Sequence, residues 1–182
     1  LYLYPIPVPC FLEGTKIICQ EEGIEKYVPV EKIRPGTLVK TKNDGFKPVA
    51  LIGKRDIKNP GNDERIKDRL YKLTPAKYSD LDEDLYITGC HSLLANSLTD
   101  AQKEKTIEIL GDTFVTDKKY RLMACVDERA EPWNSEGTYT IYHFALESDD
   151  DGINFGVYAN GVLLVETCSI RHLKNKSGMH FL

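Results

Sequence analysis

Short runs of β-branched and aromatic residues alternate along the chain with clusters of Gly, Pro, Asn and Asp, a pattern that predicts many short strands. Strands are predicted at 15–20, 26–30, 38–41 and 47–52, the first two joined by a turn near Glu22-Gly23. Asn43-Asp44-Gly45 separates the last two, and its Asp44-Gly45 pair predicts a type I′ hairpin, whose two central positions both need positive φ. Residues 55–72 are rich in charges of both signs and contain Asn59-Pro60-Gly61; they read as an exposed excursion with a helical turn or two and a solvated face. Strand character returns at 86–88 and 92–95. One helix stands out at 99–110, where Thr99 and Gln102 form a capping box, Ile107 and Leu110 share a face, and Gly111 supplies the stop. Strands follow at 120–126, 139–146, 155–158 and 162–165. The predicted class is all-β, a hairpin-built sandwich or barrel-like sheet with one inserted helix.

With 182 residues, the chain is long enough for one domain with a sizeable core. A net charge of -4 argues against nucleic acid and an anionic membrane as partners, since both call for a clustered positive excess. No stretch approaches the roughly 20 apolar residues that span a bilayer, so no membrane span is expected. Residues 1–7 lack the basic start and small-residue cleavage site of a signal peptide, and the chain begins without Met. Residues 1–9 therefore read as the end of an upstream segment of the same polypeptide, held extended by Pro5, Pro7 and Pro9. Five scattered cysteines fit a reducing compartment better than a disulfide scaffold. Cys10, Cys90, His91, His143 and Cys168 are donors that zinc accepts, yet no closely spaced cysteine pair pre-forms a site, so neither metal nor cofactor is expected. The acidic run 147–152 lacks the alternating ligand spacing of a calcium loop and reads as a solvated hairpin tip.

The residues that point to chemistry are far apart in sequence. Cys10 follows a proline-stiffened segment and precedes a Gly14-Thr15 turn, a setting in which its sulfur can attack the Pro9 carbonyl and convert the peptide to a thioester. That step needs a group to protonate the departing Cys10 nitrogen and a group to hold the strained amide. His91 suits the first role, with an ordinary pKa near ~6.5, and Thr88, three residues earlier, suits the second.

Four ordered blocks resemble the Hint (Hedgehog/intein) family. Cys10-Phe11-Leu12-Glu13-Gly14-Thr15-Lys16-Ile17 is similar to its opening block, and Val30-Glu31-Lys32-Ile33-Arg34-Pro35-Gly36-Thr37-Leu38-Val39 to its next turn. Ile87-Thr88-Gly89-Cys90-His91-Ser92-Leu93 resembles its Thr-x-x-His block, and residues 154–163, with Tyr158-Ala159-Asn160-Gly161, its penultimate strand and turn. The resemblance implies an all-β horseshoe with pseudo-twofold halves, an N-to-S acyl shift at the amide before Cys10, and Thr88 and His91 as the activating pair. Where the family often carries an acid after an aromatic, Tyr142-His143-Phe144 makes His143 a candidate second acid/base. It also implies a division into an upstream segment 1–9, a Hint domain 10–168 and a tail 169–182, the basic tail reading as an exit segment or docking arm.

Splicing members of that family close with His-Asn and a nucleophile, whereas the corresponding positions here are Glu166-Thr167-Cys168. Neither Glu166 nor Thr167 forms the succinimide that cuts a downstream bond, so full splicing is not expected. What remains is hydrolysis of the thioester, resolution by an external nucleophile, or transfer to Cys168 as a second acyl acceptor. The competing expectation is a Hint-fold module that stays uncut as a structural or interaction part of a larger protein, by analogy with Hint domains in virion proteins of large DNA viruses.

Overall fold

Two residues set the first hairpin. Glu22 and Gly23, with φ of 51° and 78°, form the two-residue link that pairs Glu21 with Ile24, the type I′ geometry whose twist matches that of the flanking strands. The computed structural model describes residues 8–182, apart from the side chain of Lys176; the extended leader predicted over residues 1–7 lies outside the described residues.

In chain order the first strands are β1 (Phe11–Leu12), β2 (Lys16–Glu21) and β3 (Ile24–Pro29), followed by a short 3-10 helix (Val30–Lys32). Next come β4 (Leu38–Lys40), β5 (Phe46–Asn59), β6 (Leu70–Leu73), β7 (Leu85–Thr88) and β8 (Ser92–Ala95). Helix α1 (Asp100–Leu110) precedes β9 (Val115–Thr116), β10 (Lys119–Met123), β11 (Glu131–Pro132), β12 (Gly137–Leu146), β13 (Gly156–Ala159) and β14 (Leu163–Glu166). Helix α2 (Ile170–Lys176) and β15 (His180–Phe181) complete the described chain. The strands form one open antiparallel sheet in the order β11-β6-β7-β1-β12-β5-β4-β2-β13-β14-β8-β10-β9, with β3 beside β2 and β15 beside β5. The all-β class is as expected from the sequence. Its spine is the β5/β12 ladder, which runs from Gly137 opposite Asn59 to Leu146 opposite Val49.

Sequence expectation and structure differ at four places. Residues 55–59 extend β5, and residues 70–73 are β6, so the predicted excursion is confined to the stretch between them. There Arg69 is fully buried, its guanidinium donating to Asn62 Oδ1 and to the carbonyls of Glu64, Pro60 and Trp133. Backbone acceptors supplied by the fold make that burial tolerable. Second, the link before β5 is not a two-residue type I′ turn: of Asn43, Asp44 and Gly45 only Gly45 has positive φ, and Thr41 organises the loop by donating through N and Oγ1 to the Gly45 carbonyl.

The third difference is the helix, whose capping box forms as expected at Thr99 and Gln102 with Gly111 in the left-handed region. Its buried side chains, however, are Gln102 and Thr106, while Ile107 and Leu110 remain exposed. Gln102 reaches out of the helix to Glu128, Thr106 bonds the Gln102 carbonyl within it, and Ile109 packs against the main core. Fourth, residues 169–182 pack on the body. Helix α2 buries Leu173, β15 pairs with Lys54 and Gly53 of β5, and the Leu182 N–H donates to the Ile52 carbonyl.

Apolar residues fill two regions. The larger includes Phe11, Ile17, Ile33, Leu85, Phe144 and Val165. The smaller gathers Val8, Cys10, Ile141, Ala145, Cys168, Leu173 and Met179, so Cys10 and Cys168 share it with Leu173 of the C-terminal helix. Among the described residues no helix is long and apolar enough to cross a membrane.

Candidate functional site

Cys10 enters the body immediately before β1, which is held between β7 and β12 by Phe11 opposite Ile87 and Tyr142. That placement brings the end of β7 against the Cys10 backbone. The Thr88 N–H donates to the Cys10 carbonyl at 3.1 Å, and the Cys10 N–H donates to Thr88 Oγ1 at 3.0 Å. Thr88 thus brackets Cys10 from both sides, its hydroxyl on the nitrogen of the amide joining Pro9 to Cys10. Past Thr88 the chain turns through Gly89, where a Cβ would lie 2.7 Å from Tyr71 Cε2 and 2.8 Å from the Lys67 carbonyl. Only a residue without a side chain fits there, and the turn carries His91 back over the same site, its N–H bonded to the Thr88 carbonyl at 3.0 Å.

His91 is fully buried, with Nε2 2.9 Å from the Glu166 carbonyl and Nδ1 3.3 Å from the Cys10 carbonyl. Desolvation lowers its pKa from 6.5 to about 4, although both carbonyl contacts pull the other way. At neutral pH the ring is uncharged and carries one N–H, which the shorter contact assigns to Nε2. Nδ1 then turns its lone pair toward the Cys10 carbonyl, and a proton arriving there converts that approach into a hydrogen bond.

His143, opposite Gly53 in the β5/β12 ladder, stands edge-on to His91 with ring centroids 5.0 Å apart, and Phe11 contacts both rings. Among the described residues neither His143 nitrogen has a hydrogen-bond partner, although the ring is fully buried. Desolvation first, then the His91 and His172 charges, hold its pKa well below the ordinary value. A neutral imidazole kept out of water without partners is an expensive arrangement, and it leaves an uncommitted proton donor and acceptor beside His91.

The Cys10 thiol is completely buried and donates to the Val8 carbonyl at 3.3 Å, which turns the sulfur back over Pro9. Burial pushes its pKa up, the charges of Cys90 and Cys168 adding to the rise, while Arg55 opposes it. Cys168 is nearly fully buried, belongs to the same apolar group as Cys10, and lines a cleft of about 330 Å³ with Pro9, Cys90 and Glu166. Its thiol is pushed up to about 12 by desolvation and then by Glu166. Cys10, Thr88 and His91 are therefore joined by direct hydrogen bonds. His143 joins through ring contact with His91, and Cys168 stands across the cleft.

Sequence reasoning missed three contributors. Cys90 was weighed only as a zinc ligand, but its sulfur lies 3.6 Å from Thr88 Oγ1 and it borders the cleft. Its place between Thr88 and His91 was the available signal. Glu166 entered only for what it cannot do in splicing, whereas its carbonyl anchors His91 and its buried carboxylate pairs with Arg121. Arg55 carried no signal, because only the β5/β12/β1 register brings position 55 near Cys10.

The family model described as Hint domain matches residues 9–150, a span that begins at Pro9 and includes Cys10, Thr88, His91 and His143. No curated protein matches the chain. With most of its length matched, the chain belongs to the Hint-domain family, the autoprocessing class that embraces Hedgehog-like and intein-like domains.

Proposed function

We propose that this Hint domain acts once, on its own chain, at the Pro9–Cys10 bond. Cys10 Sγ adds to the Pro9 carbonyl carbon, the C–N bond breaks, and Pro9 becomes thioester-linked to sulfur while Cys10 gains a free α-amine. The thiol proton leaves as the sulfur attacks, and the nitrogen takes up a proton as it departs. The observation that carries this reading is the 3.0 Å hydrogen bond from the Cys10 amide to Thr88 Oγ1, a side chain 78 positions away seated on the reacting nitrogen. A hydroxyl there fixes the orientation of the amide. His91 is the proton carrier, uncharged at rest and one contact from the Cys10 carbonyl, with His143 as the auxiliary acid/base behind it. The upstream part of the same polypeptide is the partner, and the thioester ends by hydrolysis or transfer, Cys168 being a second possible acceptor. Full splicing stops short for want of an asparagine at the end.

A second reading, an uncut Hint-fold module within a larger virion protein, draws support from the completely buried Cys10 thiol held on the Val8 carbonyl. Pro9 favours it too, since its ring restricts the geometry an acyl shift can sample. The two separate in one experiment, intact mass spectrometry of the chain with a tag before Leu1, with and without added thiol, beside Cys10→Ala. Thiol-accelerated tag release that the variant lacks supports autoprocessing; identical uncut masses support the structural module.

A further inference from the structure

Glu166 faces the site with two different groups. Its carbonyl holds His91 Nε2 at 2.9 Å, while its carboxylate is contacted by Arg121 and Asn154, which line the same cleft as Glu166 and Pro9; the residue is 5% exposed. A charge so far out of water needs partners. Arg121 Nε lies 3.0 Å from Oε2, Asn154 Nδ2 3.2 Å and Thr116 Oγ1 3.5 Å, so these contacts converge on one oxygen and fix the carboxylate plane. Burial raises the carboxyl pKa, with Arg121 the largest opposing influence, which makes it a better proton acceptor than an exposed glutamate.

We propose that Glu166 is the general base for the second half of the reaction, taking the proton from a small protic nucleophile, water or an alkyl thiol, that enters this cleft and opens the Pro9 thioester. The inference rests on the acyl shift argued above and supplies what that shift leaves open, the group that resolves it. The nucleophile adds to the Pro9 carbonyl carbon and its proton passes to Glu166. The C–S bond then breaks, and the Cys10 thiolate leaves and recovers the proton from Glu166. Water yields a free Pro9 carboxyl, a thiol yields a new thioester on Pro9, and Cys10 keeps its thiol and α-amine in both cases. A volume of about 330 Å³ is at the small end of ligand cavities and suits a compact nucleophile.

The test is release of a tag placed before Leu1, followed by intact mass with three nucleophiles at neutral pH: water, 2-mercaptoethanol, and an aryl thiol that is already ionised. Glu166→Gln should slow release by water and by the alkyl thiol roughly 100-fold or more while leaving the aryl thiolate rate unchanged, because that nucleophile has no proton to give up. Glu166→Asp, which keeps the carboxylate, should recover part of the loss. An equal slowing with all three nucleophiles means a structural role and overturns the assignment, as does no slowing at all. No release from the unaltered chain with any nucleophile overturns the acyl shift itself and the assignment with it, a result separable from failure of Glu166 alone.

Discussion

Acid should destabilise this fold through its buried imidazoles, and His91 sets the scale. In the folded chain its pKa is about 4 against 6.5 for the free side chain, a gap corresponding to about 3 kcal/mol. The unfolded chain binds the proton more readily, so the contribution is intact above pH 6.5 and is lost as the pH falls toward 4. His143, whose pKa is also lowered, works in the same direction. Glu166, whose carboxyl is raised, works in the opposite one, so a comparison of variants is cleaner than the absolute slope. The perturbation is His91→Gln in a Cys10→Ala background that cannot process itself. The assay is urea unfolding followed by fluorescence of Trp133, the single tryptophan, at several pH values between 7 and 4. At pH 7 the variant should be the weaker by about 1–3 kcal/mol, having lost the imidazole's paired contacts. As the pH falls the two stabilities should converge, since only the parent carries the His91 penalty. Parallel loss in both proteins would refute the reasoning.

Other outcomes follow from the same geometry. Thr88→Val, which keeps the shape and removes the hydroxyl, leaves the buried Cys10 N–H without its acceptor; it should cost about 1–3 kcal/mol in urea unfolding and slow tag release. Gly89→Ala forces a Cβ against Tyr71 and two carbonyls, and should lower stability by about 1–3 kcal/mol or more by the same assay. Leu173→Ala, in the C-terminal helix, should cost about 2–5 kcal/mol if residues 169–182 are part of the core. The thiols of Cys10, Cys90 and Cys168 all titrate above their ordinary 9.0 when folded. Stability should therefore fall as the pH rises above 9, and the fall should become shallower when the three are replaced by Ala, Cys19 and Cys125 keeping their share of it.

Much of this architecture was legible because local rules and the global fold agree. The strand periodicity located the hairpins, and the Thr99/Gln102 capping box placed the start of α1. The spacing of Thr88 and His91 marked the pair that meets Cys10. What escaped had its cause in tertiary context. Residues 55–59 look like solvated surface, yet β12 pairs with them along their length. Arg69 looks exposed until backbone carbonyls converge on it. Asp44-Gly45 has type I′ chemistry, but Thr41 imposes a longer loop, while the less conspicuous Glu22-Gly23 takes the tight turn. Ile107 and Leu110 share a face as expected, but the sheet accepts the Gln102 and Thr106 side of α1 instead. In the site, Glu166 and Arg55 gain meaning only from strand register, which no spacing rule supplies.

The acyl shift can be observed without any cleavage. Pro9-Cys10 is the only Pro-Cys pair in the chain, so labelling proline carbonyl carbons with 13C and cysteine nitrogens with 15N gives one unique directly bonded pair. A second carbonyl signal at a thioester position, lacking the coupling to nitrogen and absent from Cys10→Ala and Thr88→Val, is the expected result. A single coupled amide signal that persists unchanged through incubation with hydroxylamine, with no leader released, would contradict the account.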